Sequence, residues 1–307
     1  MNRSLLHPAF KDSRLKQLHR YPQLHPYYDV TRDFVIFLHD TERINIEIHG
    51  LLEKDDDIDS IRISRPYLHR WTKPYADGRI AKGYALENYM KENPSPVTLL
   101  TLTGYHDYNK FGKRVNTGKT LVTTYDSIKY GYNCLRMMIR KDHPTAQWFW
   151  AWEPHETGYP HMHLAYLGEF TDAEMERYRE HWSKKLRIGD KEHGLDFEVS
   201  KTAPIDSMRN YLIGYTSKTL AINADDWTPA ELVFNAITWK NRYRTFGATR
   251  TLSKVMAMPT PEYSHNFYWV ATSILGELPG YHIEKELRHT KNDSLLTAYE
   301  NIAPVFW

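Results

Sequence analysis

Three features of the sequence predict an α+β fold, an antiparallel β-sheet of about five strands flanked by helices. Short apolar runs of strand length recur along the chain, and segments with apolar residues at helical spacing separate them. In the middle of the chain, two such runs are joined only by a turn around Thr157-Gly158, which requires neighbouring antiparallel strands. The length, 307 residues, can bury a sizeable core in one large domain or two modest ones.

Taken in order, residues 1–30 are rich in His, Pro, Tyr and basic residues without a steady period, and read as an irregular arm. Asp33–His39 and Ile44–His49 read as a hairpin across a polar turn at Asp40–Arg43. Between Pro66 and Pro96 the pattern supports one short amphipathic helix, Ala81–Glu92, which Asn93-Pro-Ser-Pro96 stops. Val97–Thr103 is a β-branched strand, Tyr105–Lys119 a Gly- and Lys-rich loop, and Thr123–Arg140 a helix with Ile128, Tyr132, Leu135, Met138 and Ile139 on its apolar side. Ala146–Glu153 and His161–Leu167 form the strand pair, and Trp148, Trp150 and Trp152 on one side of it read as core. A helix then opens at Thr171 with Glu174 three residues on, a capping box. Asp196–Ser200 is a last strand before a helix over the Tyr211 region. The implied division is an N-terminal region, 1–94, a main domain, 95–255, and a C-terminal helical extension, 256–307.

One cysteine, Cys134, excludes a disulfide framework and a multi-cysteine zinc site, as suits a reducing compartment. The first residues lack the apolar run of a signal peptide and no segment approaches a membrane span, so the expectation is a soluble cytoplasmic protein without a membrane partner. A formal net charge of +2 does not by itself announce nucleic acid. Charge is nonetheless uneven: Lys240, Arg242, Arg244, Arg250 and Lys254 occur without an intervening acid, whereas residues 53–59 are strongly acidic.

The chemistry concentrates in two strings. Glu153-Pro-His-Glu-Thr-Gly-Tyr-Pro-His161-Met-His163 places two imidazoles on one side of a strand, because side chains alternate, and Glu153 across the hairpin from them. Two nitrogens and a carboxylate with open positions suit a divalent ion that also takes a phosphate oxygen. His155 and Glu156 are the weaker members, Glu156 being the alternative third ligand. In Tyr211-Leu-Ile-Gly-Tyr215-Thr-Ser-Lys218, a helix puts Tyr215 about 40° and Lys218 about 20° from Tyr211, so two phenols and an ammonium share a stripe. A phenol of pKa near 10 needs neighbouring positive charge to act as a nucleophile at neutral pH.

His-hydrophobic-His on a strand followed by Tyr-x3-Tyr-x2-Lys on a helix resembles the HUH endonucleases, in particular the two-tyrosine group of rolling-circle replication initiators and related transposases. The Glu153–His163 string is similar to the gene A-type proteins of small single-stranded DNA phages, and the Thr-rich strand Val97–Thr103 agrees. The resemblance spans residues 95 to 255. It implies Mg2+ or Mn2+ held by His161, His163 and Glu153, with Tyr211 and Tyr215 as nucleophiles assisted by Lys218. It also implies a single-stranded DNA or origin-hairpin substrate, a 5′-phosphotyrosine intermediate, and dependence on a host helicase and DNA polymerase, the chain having no Gly-x4-Gly-Lys-Ser/Thr phosphate loop.

Arg242, Arg244 and Arg250, interleaved with Tyr243 and Phe246, are candidate DNA contacts, as are Lys113 and Arg114 in the loop after the first core strand. A transposase with the same chemistry and a non-catalytic origin-binding protein are the alternatives. A small-molecule metal hydrolase is disfavoured, since it has no use for paired tyrosines.

Overall fold

The computed structural model describes residues 8–42, 45–54, 57–67, 69–106, 113, 117–200, 226–257 and 266–275. The helices are α1 (Ser13–Gln17), α2 (Tyr28–Thr41), α3 (Lys73–Glu92), α4 (Leu121–Asp142), α5 (Asp172–Glu180), α6 (Pro229–Lys240) and α7 (Arg250–Val255). The strands are β1 (Asn45–Lys54), β2 (Asp57–Pro66), β3 (Val97–Thr103), β4 (Gln147–Pro154), β5 (Pro160–Leu167), β6 (Leu195–Ser200), β7 (Phe246–Ala248) and β8 (Asn266–Leu275). A five-stranded antiparallel sheet in the order β6-β3-β5-β4-β7 makes the centre, with helices around it, as the α+β expectation requires.

The register sorts the central sheet into two faces. On one, Leu100, Leu102, Trp148, Trp152, Met162 and Leu164 pack against Tyr125, Ile128, Leu135 and Ile139 of α4 and against Tyr178 and Trp182. On the other, Val97, Phe149, Ala151 and Ala165 pack against Leu86 and Met90 of α3 and Leu252 and Met256 around α7. Sheets buried on both faces explain why these strands read as nearly continuous apolar runs. Three helices open with the same device. Thr120, Thr171 and Thr228 each accept from the backbone N–H three residues on, and the side chains of Thr123, Glu174 and Glu231 reach back to the capping residue's N–H.

Three expectations need correction. Asp33–His39 lies within helix α2, which buries Thr31, Phe34, Val35, Phe37 and Thr41. A continuous apolar run carries no period of its own, and the flanking Thr31 and Thr41, which complete the helical spacing, were not apolar enough to reveal it. The hairpin exists one segment later, as β1 and β2, with the acidic run at its tip. The helix expected at Ala81–Glu92 begins at Lys73, with Pro74 in its first turn, where a missing N–H is harmless. In the expected C-terminal helical extension, the described stretch Asn266–Leu275 is a strand instead, pairing with β1 in a second sheet of order β2-β1-β8. Its partner lies more than two hundred residues earlier, so no local pattern specifies the pairing.

The N-terminal region shares a core with the rest of the chain. Leu15, Leu18, Leu24, Phe34, Phe37 and Trp71 are buried together with Trp227, Leu232, Val233 and Ile237 at and in α6. Arg70 extends this joint: its guanidinium donates to the Tyr243 carbonyl at 2.9 Å and to the Thr238 hydroxyl at 2.8 Å. Nearer the site, Leu24 abuts Gly158 in the β4–β5 turn. Gly158 has φ of 87°, and a Cβ there would stand 2.5 Å from Leu24 Cδ2, so only glycine satisfies both the turn and the contact.

Candidate functional site

Strand β5 lies at the middle of the sheet and carries the histidine pair at its N-terminal end. His161 stands opposite Thr103 of β3 and Glu153 of β4, and His163 stands opposite Thr101 and Ala151. Both imidazoles therefore occupy the face that packs on α3 and α7, with Met162 in the opposite layer, as the period of two requires.

His163 is buried and tied at both nitrogens. Nε2 lies 2.8 Å from Glu153 Oε1 and Nδ1 lies 3.2 Å from Thr101 Oγ1. A carboxylate only accepts, so Nε2 carries the proton and Nδ1 accepts from the threonine hydroxyl. His161 differs: its Nε2 is buried and has no hydrogen-bond partner among the described residues. Burial, followed by the proximity of His106, His155 and His163, holds its pKa well below the ordinary histidine value, so the ring is neutral.

Two further imidazoles complete the cluster. His155, in the turn after β4, lies 4.9 Å from the His161 ring with planes 18° apart, and His106 lies 5.5 Å from it with planes 7° apart. His106 follows β3 by three residues and also packs on Tyr159, whose hydroxyl donates to the Lys119 carbonyl. Burial, with His155 next, lowers the His106 pKa to about 4, and its Nδ1 too is buried without a hydrogen-bond partner among the described residues. Glu156 is exposed in the turn and does not join the cluster.

His106 is the member that sequence reasoning missed. Its signal was positional: β3 runs antiparallel to β5, so the residues just past Thr103 must emerge beside His161.

Among the described residues, no three His, Cys, Asp or Glu side chains form a ready metal-ligating group. The arrangement gives the reason. The His106, His155 and His161 rings present faces to one another rather than converging nitrogens, and His163 Nε2 is engaged with Glu153. The donor set still fits a divalent ion. His161 offers a neutral, buried nitrogen, and a proton shift from Nε2 to Nδ1 of His163 would free Nε2 while Thr101 Oγ1 accepts at Nδ1.

The remaining expected site residues fall into two groups. Tyr211, Tyr215, Lys218 and Arg114 lie outside the described residues, while Lys113, Arg242, Arg244 and Arg250 are exposed. Arg242 occupies a left-handed turn, with φ of 53°, just after α6. Arg244 has its guanidinium 5.8 Å from the Trp150 ring, on the α4 side of the sheet, whereas Arg250 opens α7, which packs on the histidine side. The basic run is thus divided between the two sides. Among the described residues, no helix is long and apolar enough to cross a membrane.

No curated protein and no solved structure matches the chain. Residues 98–220 do match a family model, that of the replication-associated proteins of the ORF2 group. That span opens on β3, takes in Glu153, His161 and His163, and runs past Tyr211, Tyr215 and Lys218, so over it the chain is similar to replication-associated proteins.

Proposed function

We propose that this protein initiates rolling-circle replication by cleaving and rejoining single-stranded DNA through a phosphotyrosine linkage. The observation that carries the reading is the pair His161 and His163 on the central strand beside Glu153, with a buried, neutral His161 nitrogen that no described residue uses. A buried polar atom left without a partner costs about 1–3 kcal/mol, a penalty a fold keeps where a ligand satisfies the atom. The similarity to replication-associated proteins over residues 98–220 supports the same reading.

His161 Nε2, His163 Nε2 and a Glu153 oxygen are the atoms that would hold Mg2+ or Mn2+, and the bound ion would polarise the scissile phosphate. Thr101 orients His163 through Nδ1, and burial keeps His161 deprotonated and able to donate its lone pair. The phenol oxygen of Tyr211 or Tyr215 attacks phosphorus as its proton departs. The P–O3′ bond breaks, the tyrosine becomes linked to the 5′ phosphate, and the leaving strand ends in a 3′ hydroxyl that a host polymerase extends. Lys218 favours the phenolate by its charge. The phosphodiester energy kept in the linkage permits rejoining without ATP, and the second tyrosine receives the next cleaved end.

The test is covalent trapping on a labelled single-stranded oligonucleotide from the replicon, with Mg2+ or Mn2+. The wild type should form an adduct, each single Tyr→Phe variant should retain one round, and the Tyr211→Phe/Tyr215→Phe double variant should form none. His161→Ala should lose cleavage but keep much of its affinity, which phosphate contacts elsewhere supply. An adduct in the double variant would sink the nucleophile assignment; no adduct in the wild type, with affinity intact, would leave a non-catalytic origin-binding protein.

A further inference from the structure

Helix α4 turns one row of cations outward on the side of the sheet away from the histidines. Lys129, Arg136 and Arg140 fall within about 40° of one another around the helix and span about 16 Å along it. Both acids of α4 are already engaged: Asp126 accepts from the Tyr243 hydroxyl at 3.1 Å, and Asp142 accepts from Arg177 and Tyr178. Lys129, Arg136 and Arg140 form no ion pair with a carboxylate among the described residues, and neither does Arg244 beside them.

Each of these cations instead lies over an aromatic ring. Lys129 is 5.8 Å from the Tyr243 ring, Arg136 is 6.0 Å from Tyr132, Arg140 is 5.6 Å from Trp148 and Arg244 is 5.8 Å from Trp150. A guanidinium held over a ring keeps donor N–H groups available for phosphate oxygens, and its position is fixed before any ligand arrives. Trp150 and Tyr243 are half-buried rather than enclosed, and each is backed by a rigid support. A Cβ on Gly247 would come within 2.4 Å of the Trp150 indole, and Tyr243 stacks on Tyr125 at 3.8 Å with parallel planes. Tyr125 in turn stacks on Trp152 at 4.0 Å.

From this alternation of unpaired cations and half-open rings we infer that α4 and the segment before β7 form a second single-stranded DNA contact, on the face of the sheet opposite the histidine pair. Phosphates meet the cations and unpaired bases stack on Trp150 and Tyr243. A duplex, with its bases already stacked, would use the charges alone. The strand held here lies behind the sheet, away from the reacting phosphate, so it is a flanking or displaced segment rather than the one being cut.

Binding of a fluorescent 20-nucleotide single strand and of the corresponding duplex, followed by anisotropy across a salt series in EDTA, tests this without involving cleavage. The full chain is compared with a Lys129→Ala/Arg136→Ala/Arg140→Ala variant and, as a single change at an exposed position, with Arg140→Glu. Losing three phosphate contacts should lower the slope of log K against log salt by about 2 for the single strand and weaken binding at low salt by at least about tenfold, with thermal unfolding unchanged. Arg140→Glu should weaken single-strand binding in the same sense. Unchanged affinity and slope in both variants would overturn the inference and leave the row to an acidic protein surface; loss confined to the duplex would overturn its single-stranded part. A protein that binds as expected yet never forms a covalent adduct would refute the cleavage reading and leave this contact standing.

Discussion

Lowering the pH should unfold this protein through histidines that the fold keeps neutral, and His69 gives the effect its clearest form. It is 3% exposed, between α2 and α6. Its Nδ1 accepts the Trp71 backbone N–H at 3.2 Å, so Nε2 holds the proton and donates to Thr41 Oγ1 at 2.9 Å; that hydroxyl donates to the Phe37 carbonyl at 2.7 Å. A second proton would abolish the Nδ1 acceptor and place a charge in a dry site next to Arg70. Burial first, and Arg70 second, push the pKa down to about 3. The unfolded chain takes up this proton near pH 6.5 and the folded chain only near pH 3. Stability from the neutral ring is therefore complete above pH 6.5 and is lost as the pH falls toward 3. The loss is about 1.4 kcal/mol per pH unit, so about 2.7 kcal/mol by pH 4.5. Urea unfolding of the wild type and of His69→Gln between about pH 7 and about pH 4.5 reads this directly. The variant starts less stable at neutral pH, but its curve should be flatter by about 1.4 kcal/mol per pH unit, the contribution of one non-titrating site. Parallel curves would refute the reasoning, because they would mean that His69 binds its proton equally in both states.

Two other substitutions probe the packing that carries the site. Gly131→Ala in α4 would gain about 1 kcal/mol of helix propensity but set a Cβ 2.4 Å from Ile188 Cδ1 and 2.5 Å from the Trp182 indole, which donates to the Thr103 carbonyl at 3.0 Å. Overpacking should win, with a net loss of about 1–2 kcal/mol in chemical unfolding and reduced cleavage, since Thr103 faces His161; a stabilised variant would show that Trp182 yields freely. Arg70→Ala strips donors from Tyr243 and Thr238 and should destabilise the chain by about 3 kcal/mol or more, detectable as a lower urea midpoint. An unchanged midpoint would mean that α6 and the N-terminal region hold together by apolar contact alone.

How far the fold was legible depended on whether its information was local. β3, β4, β5, β6 and α4 stood within a residue or two of their expected limits, because each is bounded by turn or capping residues and keeps one period throughout. Helix α2 was not legible, since Phe34-Val-Ile-Phe-Leu38 is apolar on every side and its length as a helix depends on Thr31 and Thr41 being buried. Helix α3 showed only its second half. Gly78 and Gly83 weaken its local propensity, and contacts of Leu86 and Met90 with the central sheet anchor it.

At the site the same distinction separates what one strand carries from what several elements assemble. His161, His163 and Glu153 could be placed together because a period of two and a short turn determine their relation completely. His106 and the cations of α4 could not. A histidine past the end of β3 becomes part of the cluster only when β3 lies against β5, and lysines and arginines on a helix are ordinarily just its solvated face. What removes α4 from that ordinary class is tertiary: Asp126 and Asp142 are used by Tyr243, Tyr178 and Arg177, elements distant in sequence, and the rings beneath the cations come from β4 and the approach to β7 as well as from α4 itself. The histidine face and the cation face are therefore readable to different depths, although the same strands form both. β4 alternates Trp150 and Trp152 toward the cations with Ala151 and Glu153 toward the histidines, so a one-residue slip in its register would exchange the two faces and destroy both at once.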